Sequence, residues 1–424
     1  MRLGRKRWTG ILWVCLALGA TSTTTGAAAA ATPEPPAATA AAPADEVARL
    51  REALEALRQE YAGRIATLEE RLAALEKSQS EAATAAPAAS ADAGGGAAAP
   101  VASSKVFNPD IAVIGNFVGA AGKTPGGGEP SLSLQESEFS FQAVVDPYAR
   151  ADFFLTFGPE EVGVEEGYLT FPALPGGLLG KVGKMREAFG RVNTEHPHTL
   201  PFADLPLISR NLLGGEALSD SGISLARLLP APGFFLEATG QVFRGESDVF
   251  RAETRGDLQY AGRLRAYRDV TESTNVDLGG SIAYGHNGVT ADSKTRLVGA
   301  DLTVRYRPLR RSIYTGVLAR GEAVWSRRED PAGGTVSAFG AYGYLGYQFA
   351  RRWTAGVRLD SAERADAPGL RDRGGSFVLT YRPSEFSLVR GQYRRTSFAD
   401  RDEPANEFLF QLLFTIGAHG AHPF

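Results

Sequence analysis

The sequence predicts an all-β transmembrane barrel of about sixteen antiparallel strands, preceded by a signal peptide and an N-terminal α-helical coiled coil. Three observations lead to that class. From Lys105 onward, aromatic and β-branched residues alternate with polar and small ones in segments separated by Gly, Pro, Asp and Asn clusters. The connectors between segments take turns at being short and long, as in barrels with tight turns at one end and loops at the other. No run of eighteen apolar residues occurs, which excludes membrane-spanning helices but leaves strands open.

Residues 1–27 read as a secretory signal, with Arg2, Arg5, Lys6 and Arg7 as its basic start, Gly10 to Ala20 as its apolar stretch and an Ala-rich run following. Removing it takes away Cys15, the only cysteine, so the mature chain is expected to hold no internal disulfide. The formal charge moves from -3 to -7 with those four basic residues gone. A chain with no basic excess is not expected to bind nucleic acid.

Residues 28–44 are Ala, Pro and Thr but for Glu34, a linker too poor in bulky side chains to bury anything. Over 45–79, Val47, Leu54, Tyr61, Leu68 and Leu75 recur every seven residues, with Leu50 and Leu57 and then Ile65 and Leu72 as companions. The companion shifts by one place beside Gly63. So narrow an apolar seam between two linkers predicts a self-associating coiled coil, hence a homo-oligomer, a parallel trimer being one arrangement such a seam supports. Residues 80–104 form the second linker, again Ala, Pro and Ser with a Gly94 to Gly96 triplet.

The barrel is expected over 105–424, with strands near 110–119, 131–145, 148–158, 161–172, 177–187, 222–230, 233–244, 257–269, 275–286, 295–307, 312–326, 335–349, 352–361, 373–382, 385–397 and 406–417. No convincing helix interrupts this pattern. In the last strand Phe408, Phe410, Leu412, Phe414 and Ile416 fall on one side and Gln411 and Thr415 on the other, so one face suits lipid and the other a wet lumen. Trp353, Val357 and Leu359 against Arg352, Arg358 and Asp360 repeat the pattern. Sixteen strands allow about 20 residues each with a connector, whereas twenty-two would leave about 14 and nothing for a plug domain.

The longest unpatterned stretch, 188–221, carries Phe189, Leu200, Phe202, Leu205, Leu207, Ile208, Leu212 and Leu213. These need a surface to pack on, and the lumen wall offers one, so the loop is expected to fold inward with Glu195, His196, His198, Asp204 and Glu216 at a constriction. Alternation points Arg150, Arg263, Arg265, Arg305, Arg307, Arg358, Arg382, Arg390 and Arg394 into the lumen, opposite Glu136, Glu138 and Glu166. A cationic wall facing an acidic one across water is the expected field, and direct pairing of the two signs is the alternative. Glu195, His196 and His198 offer two imidazoles and a carboxylate to zinc, but without a clear fourth ligand these residues are expected to serve as wall contacts, with no cofactor required. A G-x-S-x-G elbow is absent and no catalytic constellation stands out, so an enzyme is not expected.

In strand count, polarity and the place of its long connector, the region from Phe107 to Phe424 resembles sixteen-stranded general porins. Its motifs are similar to those of a family of Gram-negative outer-membrane barrels often filed as zinc-regulated or TonB-dependent receptors. These are Phe107-Asn108-Pro109, Glu136-Ser137-Glu138, Asp146-Pro147-Tyr148, Val164 to Tyr168, Phe189 to His198 with Asn193, Phe202-Ala203-Asp204, Pro206-Leu207, Gly214-Gly215 and Asp220-Ser221-Gly222. The resemblance implies an outer-membrane protein in contact with lipid, inserted by the barrel-assembly machinery that reads a terminal aromatic such as Phe424, with its N-terminal segment in the periplasm. The expected function is passive diffusion of small polar or charged solutes. A metal-uptake receptor, an envelope tether and an outer-membrane hydrolase remain as alternatives.

Overall fold

In the computed structural model the chain divides into two compact units, Met1–Ala99 and Pro100–Phe424. The structure describes residues 109–124, 130–158, 162–215 and 218–417, together with Glu55 and Gln59, which are helical and exposed. The signal segment, both linkers, every residue of the coiled-coil seam, Glu216, His419, His422 and Phe424 lie outside the described residues.

Sixteen strands make one closed antiparallel barrel in which each is bonded to its neighbours in sequence. They are β1 (Asp110–Lys123), β2 (Leu132–Asp146), β3 (Ala149–Phe157), β4 (Val162–Leu174), β5 (Leu178–Arg186), β6 (Ser219–Leu229), β7 (Phe235–Phe243) and β8 (Gln259–Thr271). There follow β9 (Thr274–His286), β10 (Lys294–Tyr306), β11 (Gly316–Glu329), β12 (Thr335–Ala350), β13 (Trp353–Glu363), β14 (Arg371–Ser384), β15 (Ser387–Ser397) and β16 (Ala405–Gly417). β1 closes the ring on β16, from Ala112 opposite Gly417 to Lys123 opposite Asn406. Closure leaves no free edge, so every strand satisfies its backbone inside the sheet. The ring of Phe414 lies over Gly115 on this seam, in space that a β-carbon would occupy.

Each strand expected from the sequence is present. The most displaced start is that of β11, four residues late because Pro308 opens a 3₁₀ turn over Leu309–Arg311 and the Arg311 carbonyl then accepts the N–H groups of Tyr314 and Thr315. The β8 to β9 connection, residues 270–274 by the strand bounds expected from the sequence, is a tight turn at Glu272 and Ser273. The expectation of no helix is corrected by a six-residue helix, α1 (Leu207–Leu212), inside the long connector.

Side chains alternate across the wall. On β10, Thr295, Asp301 and Thr303 are buried inside while Val298 and Leu302 are exposed outside. The exposed set also includes Leu264, Leu278, Ile282, Leu345, Val357, Leu359, Phe377, Phe410 and Ile416. An apolar exterior over a polar interior is the inverse of a soluble sandwich and fits lipid outside, water inside. Trp325 packs on Phe339 toward the long-connector end, and Trp353 on Tyr381 toward the turn end. Phe339 and Tyr347 are eight residues apart on β12, about 27 Å along the strand, or about 21 Å along the membrane normal at a tilt of about 40°. That matches a hydrocarbon layer bounded by aromatic girdles.

Candidate functional site

The connector between Arg186 and Ser219 folds into the barrel. Asn193 clasps its two ends: its amide donates to the carbonyls of Glu187 and Leu218, both at 3.0 Å, and its oxygen accepts the Leu218 N–H at 2.7 Å. Gly190 makes the inward bend in the left-handed region, at φ 61°. The Glu322 carboxylate fills the space a β-carbon would take there and accepts the N–H groups of Arg191 and Val192 at 3.2 and 3.1 Å. Only glycine suits both the angle and the close approach.

The apolar side of the loop packs on the wall. Phe189, Val192, Leu200, Phe202, Ile208, Leu212 and Leu213 are buried with Phe243, Leu297, Val324, Tyr342 and Val378. These wall residues hold inward positions where a water-filled barrel calls for polar side chains. Asp360 accepts the first helical N–H of α1, that of Leu207, at 3.2 Å.

Two consecutive residues of the loop reach opposite walls. Glu195 and His196 both have extended backbone, with φ and ψ of -112° and 141°, and of -69° and 144°. Side chains of adjacent extended residues point opposite ways. Glu195 meets Arg320 on β11 at 2.7 Å and Arg191 at 2.6 Å. His196 turns to the other side: its Nδ1 lies 2.9 Å from Glu138 on β2 and 3.3 Å from Glu165 on β4, and its Nε2 lies 2.9 Å from Glu166. Around the ring β4 and β11 are seven strands apart one way and nine the other, so the loop spans the lumen. A bulge on β4, where Glu166 pairs with Phe154 and Val164 with Leu155, places the consecutive Glu165 and Glu166 both within reach of this histidine. Burial favours its neutral form, but the hydrogen bonds to Glu138, Glu165 and Glu166 outweigh that and hold its pKa well above the ordinary value.

The grouping of Glu195 with the two histidines is thereby corrected. Glu195 is engaged by arginines, and the carboxylates beside His196 and His198 come from β2 and β4. His198 Nδ1 sits 3.7 Å from Glu138 and 4.0 Å from Glu136.

The expected water gap between acidic and basic walls is also corrected, because the two signs touch. Asp204 accepts from Arg358 at 2.9 Å, Arg394 at 2.7 Å and Gln392 at 2.5 Å. Burial works against ionisation of Asp204, yet the two guanidinium groups hold its pKa below the ordinary carboxylate range. Arg358 also bonds Asp360 at 2.8 Å and lies 4.4 Å over the Phe202 ring, and Arg394 bonds Glu407 at 3.0 Å. Arg263 is neutralised by Asp301 at 2.8 Å, Arg265 by Asp277 at 2.7 Å and Arg150 by Asp152 at 2.8 Å. Direct contact is favoured once the loop removes the water that would screen these charges.

Among the described residues, Arg305, Arg307, Arg382 and Arg390 have no carboxylate within ion-pairing distance. Arg305, Arg307 and Arg382 lie at the turn ends of their strands, and Arg390 lies near the start of β15. Arg390, almost fully buried, donates to Thr380 at 3.2 Å and Gln411 at 2.7 Å. Its pairing with Thr380 makes Arg382 a diagonal neighbour. Toward the long-connector end, a cavity of about 330 Å³ is lined by residues including Arg210, Asn211, Asp248, Arg328, Arg364 and Asp366.

Arg320 and Glu322 were not singled out by the sequence reading, nor were the part played by Glu165 and the bond from Asp360 to the start of α1. The inward apolar residues Phe243, Leu297, Val324 and Val378 are the signal that marks the docking wall, because each breaks the polar parity of its own strand.

A closed sixteen-stranded barrel with an apolar belt and a charged, loop-crossed lumen is a membrane β-barrel. A protein of Aquifex aeolicus (strain VF5), described as an uncharacterized protein, is 30% identical over 336 residues, covering 69% of this chain and 70% of that one. The chain belongs to the family of that protein. No family model matches. Among solved structures, the loop L8 deletion mutant of OmpT, an outer membrane protein of Vibrio cholerae, superposes with a TM-score of 0.51 at 10% identity, covering 73% of this chain and all of that one. The anion-selective porin from Comamonas acidovorans gives 0.51 at 9% identity, over 73% and 98% of the two chains. Likeness at this level of identity establishes a shared fold.

Proposed function

We propose that the protein is an outer-membrane porin-like channel of a Gram-negative bacterium, passing small polar or charged solutes, with its short turns in the periplasm and its long connectors outside. The observation that carries this reading is a charged lumen crossed by a connector of the barrel itself, bonded to opposite walls. A receptor with a separate plug domain is a poorer fit, since the segment that narrows the lumen belongs to the chain between β5 and β6. The four arginines without carboxylates bias the turn-side lumen toward anions, the selectivity named for the Comamonas porin. Proteoliposomes holding the protein should release small anions faster than cations of equal size. Arg305→Ser together with Arg382→Ser should bring the two rates closer. Liposomes that retain both ions would contradict the channel reading.

The N-terminal seam supports a homo-oligomer held by a periplasmic coiled coil. Deleting residues 45–77 should lower the oligomer mass in detergent while the barrel still shifts in gel mobility on boiling, because linkers on both sides isolate the helix. An unchanged mass after deletion would place oligomerisation in the barrel.

A further inference from the structure

We propose that Glu138, Glu165, His196 and His198 form a site for a divalent transition-metal cation of the zinc class, which pins the lumen-crossing loop to the wall of β2 and β4. The potential ligand atoms of Glu138, His196 and His198 all lie within 4.8 Å of one another, and the three residues are 0%, 4% and 5% exposed. A tetrahedral zinc with ligands at its usual bond lengths separates them by about 3.3 Å. The pairs here bracket that spacing: Glu138 Oε2 to His196 Nδ1 at 2.9 Å, Glu165 Oε2 to His196 Nδ1 at 3.3 Å, and Glu138 Oε2 to His198 Nδ1 at 3.7 Å.

The surroundings are arranged as metal-ligand histidines require. His196 turns Nδ1 to the cluster while its Nε2 is held by Glu166 Oε2, and the other Glu166 oxygen accepts the Arg186 backbone N–H at 2.7 Å. A carboxylate on the far nitrogen fixes ring orientation and strengthens the ligand. Glu165 is steadied in the same way, its Oε1 being held by the Arg186 guanidinium. Glu136 stands 4.0 Å from His198 Nδ1 as a further oxygen donor. Four carboxylates, Glu136, Glu138, Glu165 and Glu166, face Arg186, and a divalent cation offsets most of the remaining negative charge. Two nitrogens with carboxylate oxygens suit zinc-class ions, whereas calcium and magnesium favour oxygen alone. The H-x-H spacing supplies the imidazoles, and β2 with the β4 bulge supplies the carboxylates the sequence left unidentified.

The proposal concerns binding and does not depend on conduction. Full-length protein stripped with a chelator and returned to detergent buffer is titrated calorimetrically with zinc chloride, with magnesium chloride as the control. One zinc per chain with a Kd below about 1 µM is expected, with no magnesium heat. His198→Gln leaves the His196 contacts to Glu138 and Glu166 in place, so the loop stays anchored, and should weaken zinc by about 100-fold; Glu166→Gln should weaken it by about 10-fold. Glu195→Gln, on the opposite wall, should bind zinc as the wild type does. Absence of saturable zinc binding by the wild type would overturn the proposal. So would undiminished affinity in His198→Gln, which would assign the metal to other ligands such as His419 and His422.

Discussion

Removing Thr194 to Gly214 is expected to raise single-channel conductance severalfold and to weaken ion selectivity. The cut leaves the clasp intact, since Asn193 still bonds Glu187 and Leu218 and so keeps the new ends close together. It removes Glu195, His196 and Asp204, the residues that tie the loop to opposite walls. Arg320 and Arg394 then face water in a wider lumen, which tolerates them better than a dry interior would. The apolar wall residues Leu297 and Val324 become wetted, so thermal stability should fall as conductance rises. A shortened protein with wild-type conductance would place the solute path outside the reach of this loop.

The second large effect is expected at Asp204. Asp204→Ala leaves Arg358 and Arg394 with one carboxylate each, Asp360 and Glu407, so its cost should fall at the lower end of about 3–5 kcal/mol. Urea unfolding measures that loss, and conductance should rise as the α1 end of the loop comes free. The pH dependence has a definite sign. A carboxyl whose folded pKa is depressed contributes stability that is present above its unfolded value and is lost as pH falls through the folded one. The Asp204 anchor should therefore survive through mildly acidic solution and give way only under strongly acidic conditions. Conductance that rises already between neutral pH and the ordinary carboxylate range would show that another group holds the loop.

The barrel was largely legible in the sequence because a membrane strand writes its two environments side by side. Phe408, Phe410 and Phe414 outside, with Gln411 inside, need no tertiary information to be assigned. The inward fold of the loop was legible too, since Phe202 and Ile208 are too apolar to face water. The pairing inside the lumen was hidden for a different reason. Asp204 meets Arg358 and Arg394 across more than 150 residues of chain, and no local spacing encodes which arginine a loop carboxylate will reach. The Glu195 grouping failed on backbone geometry: extended backbone at residues 195 and 196 sends their side chains to opposite walls, and the 3₁₀ turn Pro197–Thr199 sets His198 beside His196. Glu165 was hidden by a bulge, which breaks the alternation that made the other inward residues readable. Helix α1 escaped notice because six residues carry less than two turns of periodicity.

The most direct test is single-channel recording on the purified full-length protein in planar bilayers under a potassium chloride gradient. The structure predicts discrete conductance steps with a reversal potential displaced toward chloride, smaller than those of the loop-deleted protein. Folded, inserted barrels that conduct no ions, with the loop and without it, would contradict it.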